Sequence, residues 1–315
     1  MSSTYLITGI GGFIGSHIAE ELLKNDEKVI GLDNLTSGNL DNIKYLQSLK
    51  KNLHFTEGSI LDVELLESLS AECDYIIHHA ALVSVVQSIE EPNLTHKINT
   101  EGTLNILNIA RKNKNIKKLI FASSAATYGN IKELPIKEED ASEVLSPYAA
   151  TKKTNELYAQ AYSNSYNLDI VGLRYFNVFG PRQDPSSPYS GVVSIFINNL
   201  KKGKDLIIYG DGKQTRDFIY VKDVANVNIQ ICKNENLKGY NVLNIGTGNQ
   251  ISINEIAGVL GDELGVKPNI IHKEERKGDI KYSCADISRL KEKLNFTPKY
   301  DFKQGIREYF DYLKP

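Results

Sequence analysis

The sequence predicts an α/β protein: a doubly wound parallel sheet followed by a smaller C-terminal α/β lobe. Three observations carry that expectation. Apolar, β-prone runs alternate with helix-patterned segments through residues 1–180. A glycine-rich turn, Gly9-Ile10-Gly11-Gly12, stands between the first such run and an amphipathic stretch. Further on, Ser146-Pro147 opens a second amphipathic stretch that carries Tyr148 and Lys152.

Taken in order, residues 4–8 form the first strand, and a helix over about 14–23 follows the glycines. Strands are expected over 29–33, 53–58, 75–79, 118–122 and 168–173, with helices notably over 93–112 and 147–166. Pro181, Pro185 and Pro188, set among polar residues, break the alternation. The main boundary is therefore placed there, giving units 1–180 and 181–315. The second unit reads as irregular α/β over the C-terminal edge of the sheet. Residues 242–248 read as one more strand, returning to the first unit near 241–250. No internal repeat or low-complexity tract is evident.

With 315 residues, 41% of them hydrophobic, the chain can bury a large core. A net charge of -2 gives no reason to expect nucleic acid or an anionic membrane as partner. Cys73, Cys232 and Cys284 are odd in number and unclustered, which suggests neither a disulfide framework nor a zinc site. The first strand begins almost at the N-terminus and no apolar run approaches the roughly twenty residues of a membrane span, so a cytoplasmic protein is expected.

The glycines let backbone approach a pyrophosphate, whose charge then sits at a helix N-terminus. The spacing Gly9-x-x-Gly12-x-x-Gly15 departs slightly from G-x-G-x-x-G. Asp33 ends the second strand about twenty residues later, where a carboxylate accepts from a ribose 2′-OH and repels a 2′-phosphate. NAD is thereby favoured over NADP. Tyr148 and Lys152 share a helix face at i,i+4, and a lysine beside a phenol favours the phenolate, as a general acid/base requires. His78 and His79 read as packing residues at a strand end, with no third metal ligand in view.

On these motifs the chain resembles the extended short-chain dehydrogenases/reductases, Rossmann-type enzymes, and within them the UDP-glucose and UDP-N-acetylglucosamine 4-epimerases. The likeness runs from the glycine turn to Arg276-Lys277-Gly278-Asp279. It implies that Ser124, Tyr148 and Lys152 are catalytic, with Ser124 bonded to the sugar 4-oxygen. It implies cofactor contacts from Gly9, Gly12, Phe13, Ile14 and Gly15 at the turn, and from Asp33, Asn34, Ser59 and Ile60 beyond the next strands. Ala80, Ala81, Asn99, Tyr148, Lys152 and Phe176 complete that set, Phe176 bordering the nicotinamide.

On the substrate side the resemblance implies Ser84, Ser124, Tyr148 and Asn177, and a uracil frame of Val192, Ile207 and Tyr209. Arg216 and Arg276 would pair with the diphosphate, and Asp279 with a ribose hydroxyl. Ser283, third before the aspartate of Cys284-Ala285-Asp286, falls beside the sugar C2 substituent. Enzymes of the family confined to plain sugars commonly carry tyrosine there, so the small serine implies acceptance of N-acetylated sugars. Two positions depart from the pattern of the UDP-galactose enzymes. Ser59 stands where an aspartate usually meets the adenine, and Val83 replaces a lysine near cofactor or sugar.

Related 4,6-dehydratases and decarboxylases carry acidic residues after the hydroxyl position, where this chain has Ala125 and Ala126. Epimerisation at C4 through a 4-keto sugar is the expectation that remains, with NAD as a bound prosthetic group and a homodimer by resemblance. A uronate 4-epimerase, a decarboxylase or dehydratase, and a non-catalytic NAD-binding protein are the alternatives.

Overall fold

The computed structural model describes residues 2–49, 52–140, 143–185, 191–275 and 280–314. Six strands run through the first half: β1 (Thr4–Thr8), β2 (Lys28–Asp33), β3 (Leu53–Glu57), β4 (Tyr75–His78), β5 (Lys118–Ser124) and β6 (Ile170–Tyr175). Beyond them come β7 (Asn177–Phe179), β8 (Leu206–Tyr209), β9 (Thr215–Arg216), β10 (Phe218–Tyr220), β11 (Tyr240–Ile245), β12 (Ile251–Ser252) and β13 (Ile270–Lys273). The central sheet has the order β11-β6-β5-β4-β1-β2-β3 and every neighbouring pair in it is parallel. The strand order reverses between β1 and β4, which opens a crevice at the carboxyl ends of those two strands.

The helices of the first half are α1 (Phe13–Lys24), α2 (Leu40–Leu49), α3 (Val63–Ser70), α4 (Val85–Glu90), α5 (Pro92–His96), α6 (Gly102–Lys112) and α7 (Pro147–Tyr166). Those of the second half are α8 (Val192–Lys201), α9 (Val221–Lys233), α10 (Ile253–Leu264), α11 (Ser288–Leu294) and α12 (Phe302–Tyr312). Alternate strand residues feed opposite faces of the sheet, as the pleat dictates. Tyr5, Ile7, Ile77, Ile120 and Val171 pack with Ile18 and Leu22 of α1 and Val224 and Ile231 of α9. Leu6, Leu32, Ile76, Leu119 and Phe121 pack with Leu66 of α3, Ile106 of α6 and Ala159 of α7. The second half therefore supplies β11, α9 and Leu290 of α11 to the sheet's own core. A separate core unites Phe179, Phe196, Ile208, Phe218, Tyr220, Ile256 and Ile306 from α8, α10, α12 and the short strand pairs.

Two local differences from the sequence expectation have clear causes. The expected helix over 93–112 is continuous helical chain, but Lys97–Glu101 widens into a π-turn between α5 and α6. The Asn99 carbonyl within it accepts from Thr103 Oγ1 at 2.6 Å and Asn155 Nδ2 at 3.0 Å. The strand expected over 168–173 begins two residues later, at Ile170. Asn167 takes a left-handed cap at φ 54°, and Leu168 N closes back onto Ser163 O at 3.3 Å, so Leu168 belongs to the end of α7.

Candidate active site

The glycine turn is built by close backbone contacts. Gly9 turns the chain at φ 76° and donates to Leu32 O at 2.8 Å, and Gly12 N reaches Gly9 O at 3.1 Å. A Cβ on Gly9 would stand 2.7 Å from Ala80 N, so the turn lies against the chain leaving β4. Gly12 caps α1 with no side-chain hydrogen bond, and the first turn holds no acid. Phe13 and Ile14 open that helix and pack against the second lobe's core. An uncapped helix N-terminus behind a glycine turn at the switch point suits a dinucleotide pyrophosphate.

Asp33 is buried at the end of β2. Its Oδ2 accepts from Gly11 N and its Oδ1 from Leu35 N, both at 2.8 Å. Burial pushes its carboxyl pKa up, opposed by those two backbone donors. Each oxygen keeps a lone pair for a further donor. Asn34 is exposed and its Oδ1 accepts from Thr36 N. Ser59 Oγ accepts from Leu61 N at 3.1 Å, and Ile60, buried, gives its carbonyl to Asn105 Nδ2.

Ser124 closes β5 and its Oγ accepts from Ala126 N at 3.1 Å, opening the turn Ala125–Tyr128. Ser146 caps α7 and Pro147 takes its first position, which brings Tyr148 to the sheet's edge. Tyr148 N donates to Ser88 Oγ at 3.1 Å, which satisfies a second amide of that first turn. Lys152 is buried; its Nζ donates to Ala122 O at 2.8 Å and lies 5.8 Å from the centre of the Tyr148 ring. Ser124, Tyr148 and Lys152 thus converge at the carboxyl end of β5.

The electrostatics correct the sequence expectation of a lowered phenol. Burial raises the Tyr148 pKa, opposed by a hydrogen bond with Ser124 and not by Lys152. Burial also lowers Lys152, from 10.5 to about 8. Both groups are pushed toward their neutral forms by desolvation.

The end of β4 is tightly bonded. His78, buried, bridges Thr8 Oγ1 at 2.7 Å and Thr103 Oγ1 at 3.0 Å, and its pKa is lowered to about 3 by burial, then by Lys152 and His79. His79 Nε2 meets Tyr175 OH at 2.9 Å. Ala80 and Ala81, half-buried, line the chain that follows. Asn99 is engaged at both amide atoms: Leu82 N donates to its Oδ1, and its Nδ2 donates to Leu82 O and Thr151 Oγ1. Its side chain thereby holds the Ala80–Leu82 chain against α7. Ser84 caps α4 by accepting from Gln87 N at 2.9 Å, while Val83 is exposed.

In the second lobe, Asn177 is exposed and begins β7, directly after the buried Phe176. Val192 opens α8; Ile207 and Tyr209 lie on β8, with Ile207 exposed. Arg216, half-buried on β9, donates from Nη1 to Thr215 O at 2.8 Å. Ser283 is buried and its N reaches Thr215 O at 3.2 Å, while the neighbouring Tyr282 is exposed. Arg276 and Asp279 lie outside the described residues.

Sequence reasoning missed three polar residues that organise this edge. Glu156, on the Tyr148 and Lys152 face of α7, accepts from Ser123 Oγ at 2.6 Å and from Arg174 Nε and Nη2 at 2.8 and 2.7 Å. Arg174 also donates to Glu138 O and covers the Tyr128 ring at 4.5 Å. Asp217, fully buried, accepts from Thr247 N and Oγ1, Gly248 N and Ala285 N, pinning the end of β11 to the Ser283 segment. The i+8 spacing of Glu156 from Tyr148 was a usable signal. Nothing local marked Arg174 or Asp217.

Comparison with known proteins agrees with this geometry. A family profile described as GDP-mannose 4,6 dehydratase matches residues 6–309. A putative UDP-glucose 4-epimerase of Methanocaldococcus jannaschii is 40% identical over 313 residues, covering 98% of each chain. The UDP-N-acetylglucosamine 4-epimerase from Methanobrevibacter ruminantium M1, solved in complex with UDP-N-acetylmuramic acid, superposes with a TM-score of 0.93 at 40% identity, covering 99% of this chain and 98% of that one. The UDP-glucose 4-epimerase of Thermus thermophilus, solved as a complex with NAD, gives 0.87 at 35% identity, covering 98% of both.

Proposed function

The chain belongs to the extended short-chain dehydrogenase/reductase family of nucleotide-sugar epimerases and dehydratases, and from that premise we propose that it interconverts the C4 epimers of UDP-hexoses. The pairs are UDP-N-acetylglucosamine with UDP-N-acetylgalactosamine, and UDP-glucose with UDP-galactose. The observation that carries the reading is the turn Ala125–Tyr128 beside Ser124 and Tyr148. Ala125 and Ala126 stand in it at the positions where related dehydratases and decarboxylases carry acidic residues, which supports epimerisation.

NAD fits the crevice, on the uncapped N-terminus of α1 and the Asp33 carboxylate at the end of β2. When bound, it supplies the reversible two-electron oxidation at the sugar C4, so no net redox change occurs. Asp33 accepts from the adenosine ribose, and Lys152 from its buried site orients the second ribose. Ser124 holds the sugar 4-oxygen. Tyr148 takes the C4 hydroxyl proton and, once the 4-keto sugar has turned its opposite face to the cofactor site, returns a proton to the 4-oxygen as C4 is reduced on that face, which inverts its configuration. Its burial-raised phenol is a ready donor for the return step, while its hydrogen bond with Ser124 favours the phenolate for the first. Asn177 and Arg216 anchor the nucleotide while the sugar turns.

A homodimer is part of the same proposal. Val85, Val86 and Ile89 of α4 and Leu157 and Tyr158 of α7 are exposed on helices that pack together, an apolar face suited to a second copy. A monomer by analytical ultracentrifugation would remove it. Among the described residues no helix is long and apolar enough to cross a membrane.

The deciding experiment incubates purified protein, without added NAD, separately with UDP-glucose, UDP-N-acetylglucosamine and UDP-glucuronate. Epimers at unchanged mass are expected from the first two. Loss of water or carbon dioxide, or turnover of UDP-glucuronate alone, would overturn the reading.

A further inference from the structure

Helix α7 carries Tyr148, Lys152 and Glu156 at i, i+4 and i+8, all buried. A lysine and a carboxylate four residues apart on one helix face ordinarily attract one another, the more so out of water. Here they do not pair. Both Glu156 oxygens are taken by Arg174, whose Nε and Nη2 make the planar two-pronged contact, and Oε1 also accepts from Ser123. Ser123 and Arg174 are cross-strand partners on β5 and β6, one rung before Ser124 and Tyr175. Lys153 approaches Glu156 Oε2 at 3.4 Å from the more exposed side. Lys152 turns instead to Ala122 O at 2.8 Å, toward Tyr148.

We propose that Arg174 is a positioning residue: by occupying both oxygens of Glu156 it diverts the carboxylate from Lys152 and leaves the lysine's ammonium directed at Tyr148. The inference rests on the assignment of Tyr148 and Lys152 as the acid/base pair. Besides Lys152, the titratable and charged groups on the Tyr148–Glu156 stretch of α7 and on the strand ends beside it are Tyr148, Lys153 and Glu156 on the helix, His78 at the end of β4 and His79 directly after it, Arg174 and Tyr175 ending β6, Tyr128 after β5 and Tyr240 on β11. Both histidines are held neutral, each with a pKa lowered to about 3 by burial and then by Lys152. The three tyrosines beside Tyr148 in that set are raised, chiefly by burial. Glu156 is therefore the one carboxylate of the set. Burial pushes it up, but the Arg174 hydrogen bonds and charge hold it lowered and ionised. Lys152, with burial as its cause, stays lowered to about 8. A lysine paired with a carboxylate would be raised.

The test reads Lys152 itself rather than turnover, so it stands whether or not any sugar is converted. Protein labelled with lysine-ε-13C is titrated by NMR, and the Lys152 signal is identified by its loss in Lys152→Met. In the unmodified protein that signal should titrate well below the other lysines. In Arg174→Met the released carboxylate should raise its midpoint by about one pH unit or more. In the double variant Glu156→Gln with Arg174→Met, which removes both charges together, the midpoint should return to the unmodified value. An unshifted midpoint in folded Arg174→Met, or an upward shift that persists in the double variant, overturns the proposal. If Arg174→Met does not fold, the double variant decides: a midpoint that falls by a unit or more means that Glu156 already supports Lys152, and the proposal fails. Loss of turnover in the unmodified protein would instead count against the acid/base assignment alone.

Discussion

The carbonyl oxygen of Gly9 stands where a side chain on Gly15 would have to go, well inside the contact distance of an ideal Cβ. Backbone cannot retreat as a flexible side chain can, so the turn and the first turn of α1 are locked together by an absent methyl group. Gly15→Ala should destabilise the protein by about 1–3 kcal/mol or more and displace the helix end proposed to receive the pyrophosphate. Gly258, within α10, has nothing within 4 Å of its Cβ position. Gly258→Ala should therefore be neutral or stabilising by up to about 1 kcal/mol. Thermal melts of both variants check the contrast. Equal melting temperatures would remove the steric account.

Replacing Tyr148 with phenylalanine keeps the ring and its packing while deleting the proposed proton carrier. Turnover should fall by about two orders of magnitude or more, with nucleotide-sugar binding retained. Steady-state rates and equilibrium binding measured on one preparation separate the two effects. Near-normal turnover in this variant would sink the acid/base role.

Ser283 is buried and its backbone is tied to Thr215, while Tyr282 points its bulk to solvent. Tyrosine at 283 would fill space on the inner side, and overpacking of that kind typically costs about 1–3 kcal/mol. Ser283→Tyr should lower kcat/KM for UDP-N-acetylglucosamine about tenfold or more relative to UDP-glucose, since about 1.4 kcal/mol is a factor of ten. A loss shared equally by both sugars would show that Ser283 does not read the C2 substituent.

His78 sets a pH dependence of folding. Burial first, then the charges of Lys152 and His79, lower its pKa from 6.5 to about 3. Between those values the unfolded chain binds a proton that the folded protein does not. Stability is therefore fully present above about pH 6.5 and falls as pH falls, with a slope approaching about 1.4 kcal/mol per pH unit from this group. His78→Asn should flatten the decline between about pH 6 and pH 4.5 by roughly one proton. Parallel stability curves for the two proteins would refute it.

Much of the nucleotide-binding half was legible because its signals are local. The glycine turn, the acid closing β2, the cap at Ser146 and the i,i+4 pair Tyr148 and Lys152 each lie within one turn or one element, where spacing alone sets geometry. The sequence by itself determined the alternation of strands and helices and the strand-turn-helix crevice. The partners that fix Glu156, Asn99 and Asp217 are remote in the chain: Arg174 lies 18 residues from Glu156, Leu82 and Thr151 lie 17 and 52 from Asn99, and Ala285 lies 68 from Asp217. They meet because of strand register and helix docking, which no short window encodes. The tertiary structure also decided the direction in which burial moves the site's pKa values. Proximity of lysine and phenol argued for a phenolate, but desolvation is a property of the surrounding fold, and burial pushes Tyr148 the other way.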